Sequence, residues 1–411
     1  MLKLNDLNMH RFIGLMTLVL LPLISHGQQE KSIVSSSPWK MHTIDNTSFG
    51  ADGSKMSDVD GDGKLDVVVA WEEGGVVRLY FQPNEPKSKW PFVELKAPDV
   101  EDAFATDLNG DGNQDLVSFS EGSHQRITLH WAPKEKSNLR RSERWKSEDI
   151  PASVGKTKWM FGRALEIDGK NGADLIVGSK NPNGTIGWLE SPEDPGDLEA
   201  WKYHEISRAG WIMSIELMDM NNNGLIDLLI TDRHGELRGL RWLENPGPGQ
   251  ADQPWKNHFI GLQKGEPMFM GLYVLGNTHL PGIVVPDLVK GWVHFTPNDR
   301  TWDEKFIPYP VVSGSRGKSV VIADIDQDGK LDMVASFEGA LGKSGVIARL
   351  DFQAAAAQIL DISGEKGVKY DFLTLIDLDG DGDLDILTSE ETAEDGTKKG
   401  LGVVWYENPL K

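Results

Sequence analysis

The nine residues DVDGDGKLD, 58–66, set carboxylates at positions one, three, five and nine around two glycines. The pattern returns as DLNGDGNQD from Asp107, EIDGKNGAD from Glu166, DMNNNGLID from Asp219, DIDQDGKLD from Asp324 and DLDGDGDLD from Asp377. Successive starts are 49, 59, 53, 105 and 53 residues apart, and the double-length gap holds a worn copy, VLGNTHLPGIVVP from Val274, that keeps an apolar strand without the ligands. Seven units of roughly 50 residues result, and a fixed period of this size signals a solenoid, a propeller or an array. Within a unit the runs are short, β-branched or aromatic, and bounded by Gly, Pro or Asn, as in DVVVAW, GVVRLYFQP and WPFVEL of the first copy, which reads as strands. The third run often ends in a Trp-x-Glu-Asn-Pro-like signature (188–192, 242–246, 405–409), and the fourth often starts at a tryptophan (Trp90, Trp145, Trp201, Trp255, Trp302). The expected fold is all-β, a seven-bladed β-propeller of four-stranded antiparallel blades with loop starts near 58, 107, 166, 219, 274, 324 and 377.

The chain ends supply an independent test of that expectation. The seventh unit stops at residues 405–411 without a fourth strand, while WKMHTI, 39–44, matches WKYHEI at 201–206 and WKNHFI at 255–260 yet precedes the first loop. The N-terminal strand is therefore expected to pair with the last blade and close the ring, removing an open sheet edge. His42, His204 and His258 recur in these outer strands, which marks a structural position.

Calcium takes six to eight oxygens in loose geometry, and side-chain oxygens at positions one, three, five and nine with a carbonyl at seven meet that demand. An EF-hand also needs a bidentate Glu at position twelve; here that position holds Val69, Ser118, Ala335 or Thr388 and β-type sequence follows. Four loops are expected to bind Ca2+ strongly: Asp58, Asp60, Asp62 and Asp66; Asp107, Asn109, Asp111 and Asp115; Asp324, Asp326, Asp328 and Asp332; Asp377, Asp379, Asp381 and Asp385. A fifth, Asp219, Asn221, Asn223 and Asp227, carries only two charges and should bind more weakly. No ion is expected at the Val274 copy or at the Glu166 copy, where Lys170 should place its ammonium in the ion's position and neutralise Glu166 and Asp168.

The 411 residues contain no cysteine, so disulfides, thiolate metal sites and cysteine nucleophiles are excluded. An apolar run of 13 residues, FIGLMTLVLLPLI, follows Arg11 and precedes Ser25, His26 and Gly27. It is shorter than the about 20 residues of a membrane span and reads as the core of a signal peptide over 1–27, followed by a linker over 28–38 and the propeller over 39–411. The expected location is exported, periplasmic or extracellular, with no membrane span in the mature chain. The formal net charge of −21 disfavours nucleic acid as a partner.

The loops, together with Phe49-Gly50-Ala51 and Phe161-Gly162 before two of them, resemble the FG-GAP or VCBS-type repeat family, found in bacterial secreted proteins and in the head of integrin α chains. The resemblance covers nearly all of residues 39–411. It implies one calcium per intact loop, in the hairpin between the first and second strands of a blade, on the face opposite the usual ligand face. It says little about activity, because one fold hosts many functions.

Six residues before each loop start stand Asp52, Glu101, Met160, Met213, Met268, Lys318 and Asp371. Equivalent strand positions should face the same way around the axis, so blades seven, one and two would set Asp371, Asp52 and Glu101 side by side next to Lys318. Two residues further up stand Lys158, Trp211, Glu266 and Arg316. A half-charged, half-apolar mouth with aromatic and cationic rims would suit a carbohydrate or a segment of an extracellular protein, with a solvated rim over methionine packing as the plainer reading. His124, Arg233 and His234 fall on loops of the same face and are the candidates for acid–base chemistry. There is no His-Glu-x-x-His and no Gly-x-Ser-x-Gly, and GKS at Gly317 and Gly342 lacks the upstream Gly of a phosphate loop. The expected function is that of a secreted calcium-binding interaction module, with a polysaccharide lyase or hydrolase as the alternative.

Overall fold

A computed structural model describes residues 34–35, 37–276, 278–298 and 301–411. The leader 1–27 lies outside the described residues. Among the described residues, seven antiparallel four-stranded units follow one another around a ring, with four three-residue 3-10 turns interrupting the β-structure. Blade one comprises Ala51–Ser57, Asp66–Trp71, Val76–Tyr80 and Phe92–Lys96, from axis to rim. The first strands of blades two to seven are Val100–Thr106, Lys158–Leu165, Ile212–Met218, Gly271–Tyr273, Arg316–Ala323 and Tyr370–Ile376. Blade five, built on the worn repeat, has the shortest of them. No helix of the described residues is long and apolar enough to cross a membrane.

The ring closes as its sequence implies. Lys40–Asp45 pairs antiparallel with Gly402–Glu407 and forms the outer strand of blade seven. Asp45 then clasps the next blade: Arg78 Nη1 donates to its Oδ2 at 2.6 Å and Tyr80 Oη donates to the same oxygen at 2.7 Å. Val34–Ser35, expected in a linker, instead adds a fifth strand to blade six, parallel to Ile359–Asp361.

Each second strand is covered on both faces by neighbouring blades, so Asp66–Trp71, Asp227–Asp232 and Asp385–Glu390 are buried at every residue. The outer-strand tryptophans are packing elements. Their indole N–H groups donate to loop carbonyls, Trp90 to Pro86, Trp145 to Leu139, Trp201 to Pro195 and Trp255 to Ala251. The three recurring histidines stack on tryptophans of the adjacent strand, His42 on Trp405, His204 on Trp188 and His258 on Trp242, with centroids 4.3, 4.7 and 3.9 Å apart. Each also bonds a glutamate: Glu407 at 2.6 Å, Glu190 at 2.8 Å and Glu244 at 2.7 Å.

Two features of the first strands shape the axis. Six of them carry a register shift at the same height, between Asp52 and Ser54, Val100 and Asp102, Trp159 and Gly162, Ile212 and Ser214, Gly317 and Val320, and Tyr370 and Leu373. Such bulges bend a strand and re-aim a side chain. Below them, Phe161, Phe269 and Phe372 from blades three, five and seven meet edge to face, at centroid distances of 5.5 and 4.8 Å. Because these blades are not neighbours, the contact spans the axis and turns the space above it into a cup with an apolar floor.

Candidate functional site

The cup lies at the end of the blades opposite the acidic hairpins and encloses about 490 Å³. Its wall is made of stacked rows. The bulge row supplies Asp52, Glu101, Met213, Lys318 and Asp371, and the row two residues earlier supplies Trp211, Arg316 and Lys369. A third row comes from the ends of the second strands: Glu72, Glu121, Lys180, Arg233 and Glu338. Each of these follows its loop start by fourteen residues, a regularity that the offset before the loop does not reveal. Phe269 supplies the floor.

Most charges in the cup are paired between strands or blades. Lys180 bridges Glu121 and lies 4.3 Å from the centroid of Trp211, whose ring also meets the Arg233 guanidinium at 4.6 Å. Arg233 in turn reaches Glu266 at 3.2 Å. Arg316 pairs with Glu338 at 2.9 Å, Lys369 with Glu391, and Lys318 stands 3.7 Å from Glu338 and 3.6 Å from Asp371. Trp211 is thus already covered by cations, and its indole N–H is buried without a partner.

Three carboxylates remain outside this pairing. Oxygens of Asp52, Glu72 and Glu101 lie within 4.8 Å of one another. Burial, then the neighbouring Glu121, pushes Glu101 up to about 8, and burial with Glu73 and Glu121 pushes Glu72 up to about 7. Asp52 is raised well above the usual carboxylate range by burial and by Glu101 and Asp371. Asp371 moves the other way: burial is the largest single influence, but Lys318, a hydrogen bond with Asp52 and Lys369 together outweigh it. Crowded acids in a low-dielectric site titrate apart in this manner.

The predicted ligand residues Asp52, Glu101, Trp211, Arg316, Lys318 and Asp371 all line the cup. Lys158 does not; it opens the first strand of blade three opposite Lys180. Of the candidates for acid–base chemistry, only Arg233 lines the cup, and it is held by Glu266. His124 sits on a blade-two loop with Nδ1 2.8 Å from Asp99, whose carboxyl this bond draws down to about 2. His234 packs at the edge of Trp211, 5.5 Å between centroids, with burial lowering its affinity for a proton. The three do not form one constellation.

At the opposite end the acidic loops share one backbone design. The position-one carboxylate accepts two loop N–H groups, as at Asp58 from Gly61 and Gly63, Asp107 from Gly110 and Gly112, and Asp377 from Gly380 and Gly382. Asp60, Asn109, Asn221 and Asp326 accept from the residue two positions on, and so do Asp62, Asp111, Asn223, Asp328 and Asp381. Asp379 instead meets the Lys87 ammonium at 3.1 Å. The position-nine aspartate is an anchor: Asp66 takes N–H groups from Val59 and Gln82, and Asp115, Asp227, Asp332 and Asp385 repeat the arrangement. Asp174 of the Glu166 copy does so too, through Ile167 and Ser191, so this carboxylate ties the hairpin to the blade whatever else it binds.

The donor set of the intact loops is that of a hard cation. Oxygens of Asp58, Asp60 and Asp62 lie within 4.8 Å of one another, as do those of Asp324, Asp326 and Asp332. In the Asp377 loop, Asp379 Oδ1 and both oxygens of Asp383 are buried without a hydrogen-bond partner. Lys170 meets Asp168 at 2.5 Å and faces Glu190 at 3.9 Å. It does not reach Glu166, whose carboxylate accepts the Gly169 and Lys170 N–H groups instead, so one acid is neutralised there rather than two.

Residues 58–118 match the family model described as FG-GAP-like repeat. No match was found among curated proteins. Among solved structures, BBS1N from its complex with ARL6DN is similar in fold, in crystals soaked with lead (TM-score 0.53, 13% identity, 92% of this chain and 99% of that chain) and with mercury (0.52, 12%, 91% and 98%). An Agrocybe aegerita lectin described as recognising non-reducing terminal N-acetylglucosamine aligns at TM-score 0.41 and 12% identity, over 75% of this chain and 79% of that chain. The blade count, the hairpin design and the match over residues 58–118 agree: the chain is a seven-bladed β-propeller carrying FG-GAP-like repeat sequence.

Proposed function

We propose that the protein is an exported, calcium-stabilised propeller that binds a carbohydrate in the cup at its axial mouth. The observation that carries this reading is the cup itself: about 490 Å³, an apolar floor at Phe269 and Met213, and a wall of carboxylates, ammonium groups and guanidinium groups from six blades. A volume in the range of about 300–1,000 Å³ with convergent polar groups suits a small ligand. Sugar hydroxyls donate and accept at once, which a wall mixing both kinds of partner can satisfy. Recognition would rest on hydrogen bonds rather than stacking, since Trp211 is occupied by Lys180 and Arg233. The four acid-rich hairpins would hold Ca2+ tightly and the Asp219 loop more weakly, at the far end from the ligand.

Binding is favoured over cleavage by the same geometry. The residues lining the cup include neither His nor Tyr. A panel of neutral, anionic and amino-bearing glycans, titrated calorimetrically with absorbance and reducing ends followed in parallel, tests the reading. Wild type is expected to bind at least one class without releasing product. Arg316→Ala and Asp52→Ala should weaken binding about tenfold, as loss of a hydrogen-bonding group does. Product release would assign cleavage, and no binding to any glycan, or equal binding by the variants, overturns the site.

A further inference from the structure

We propose that the mouth-end turns of blades five and six form a contact surface for an anionic lipid membrane. Val289, Val311 and Leu341 are 60%, 55% and 60% exposed. Each projects from a turn whose neighbouring apolar residue packs inward: Leu288 is 2% and Ala340 0% exposed, and Val312 lies against the core shared by blades five and six. The three tips belong to one patch. The connection that carries Val311 is fastened on one side to the Val289 turn, where Tyr309 Oη donates to the Asp287 carbonyl and the Gly317 N–H donates to that of Leu288 at 2.9 Å. On the other side the Ser344 N–H of the Leu341 turn donates to the Val312 carbonyl at 3.0 Å. The Lys264 turn adjoins them, since the Leu288 N–H donates to the Glu266 carbonyl at 2.9 Å. Exposed aliphatic groups gathered in this way mark an interaction surface.

The charge of this sector is the reverse of the molecule's. Residues 262–265, 288–290, 311–315 and 339–345 carry Lys264, Lys290 and Lys343 and no Asp or Glu, in a chain of formal net charge −21. All three lysines are exposed. Lys264 and Lys343 have no ion pair among the described residues, and Lys290 reaches only Asp287, at 3.9 Å. The acids that flank the turns are already held, Glu266 by Arg233 and Glu338 by Arg316 and Lys318. Corresponding turns elsewhere are acidic, with Glu72 and Glu73 in blade one and Glu121 in blade two. Aliphatic tips among ammonium groups complement a bilayer, whose acyl boundary takes the apolar side chains while anionic headgroups meet the lysines. A membrane is favoured over an acidic protein segment because the apolar groups stand as separate projecting tips, whereas a docking peptide lays its anchors into a groove.

The surface stands apart from the carbohydrate reading, because no glycan enters its test. Full-length protein, freed of excess Ca2+ so that the ion does not bridge acids to lipid, is sedimented with vesicles of phosphatidylcholine alone or mixed equally with phosphatidylglycerol. Wild type is expected to sediment with the mixed vesicles, to ignore phosphatidylcholine alone and to be released by salt. Val289→Ser combined with Leu341→Ser, and separately Lys264→Gln combined with Lys343→Gln, should each lower partition onto the mixed vesicles about tenfold. All four side chains are exposed, so the variants should melt as wild type does. Absence of wild type from the mixed-vesicle pellet, or variants that sediment equally well, overturns the proposal. If the serine variant melts lower than wild type, the lysine variant decides alone. Binding of an acidic, leucine-bearing peptide by a wild type that ignores both vesicles would assign the patch to a protein partner and likewise overturn it.

Discussion

The hairpin end and the mouth end of this propeller are both rich in carboxylates, yet they gather them by opposite routes. At the hairpins, acids two residues apart in one loop are brought together by the local backbone, with position-one carboxylates fixed by loop N–H groups such as Gly61 and Gly63. At the mouth, Asp52, Glu101 and Asp371 come from three blades, and only blade packing, across the seam in the case of Asp371, makes them neighbours. The partners differ as well. Mouth acids are mostly matched by Lys and Arg of adjacent strands, as Glu121 is by Lys180 and Glu338 by Arg316. Blade three mixes the two designs, for its hairpin uses Lys170 on Asp168. A hairpin can therefore be retuned by one local substitution, whereas a paired mouth charge cannot change without leaving a partner in another strand unmatched.

The sharpest way to separate the ends is to remove metal. Each bound ion adds about 3 kcal/mol at a free concentration a hundred times its Kd, so chelation of four hairpins is expected to lower stability by about 10 kcal/mol. Urea midpoints with and without chelator measure this, and coincident midpoints would break the comparison. Deleting residues 39–45 attacks the joint on which the mouth depends. It removes buried Trp39 and Ile44 and leaves Arg78 with Glu94 but without Asp45; about 5–8 kcal/mol should be lost, against the few tenths of a terminal trim. A deletion that melts like wild type would show that the ring closes by other means.

The smallest expected effect belongs to neither end. His130 is buried in blade two between Ser118 at 2.9 Å and Ser147 at 2.7 Å, and burial draws it from 6.5 down to about 4. In that window the unfolded chain carries the proton and the native chain does not, so stability falls as pH drops from about 6.5 to about 4, by about 3 kcal/mol. The stability difference between wild type and His130→Gln, followed against pH, should show this slope; a pH-independent difference would place the imidazole elsewhere.

The blades and their number were legible in the sequence because their signal is local and repeated. Even the worn copy at Val274 kept its apolar strand, and the displaced WKMHTI gave away the closing strand, now paired along Lys40–Asp45. Half of the mouth was legible for the same reason, by counting back from each loop. The other half, Glu72, Glu121, Lys180 and Glu338, with Arg233, which was singled out only for acid–base chemistry, sits at the far end of the second strands, where it becomes part of the wall only through blade packing. Lys158 shows the limit of counting: it shares the row of Trp211 and Arg316 but lies outside the lining. The reach of Lys170 was misjudged because Glu166 is occupied by backbone N–H groups, a detail of the turn rather than of composition.

The closing strand is synthesised among the first elements of the propeller and used last. Lys40–Asp45 has no strand partner until Gly402–Glu407 exists, so the seam cannot close before the last blade has been made. The longest loop in the molecule is closed by the event that also completes the cup, since Asp371 of blade seven meets Asp52 of blade one only across that seam. A nascent chain consequently cannot complete its cup early, and an intact cup becomes a report that both ends of the chain have been joined.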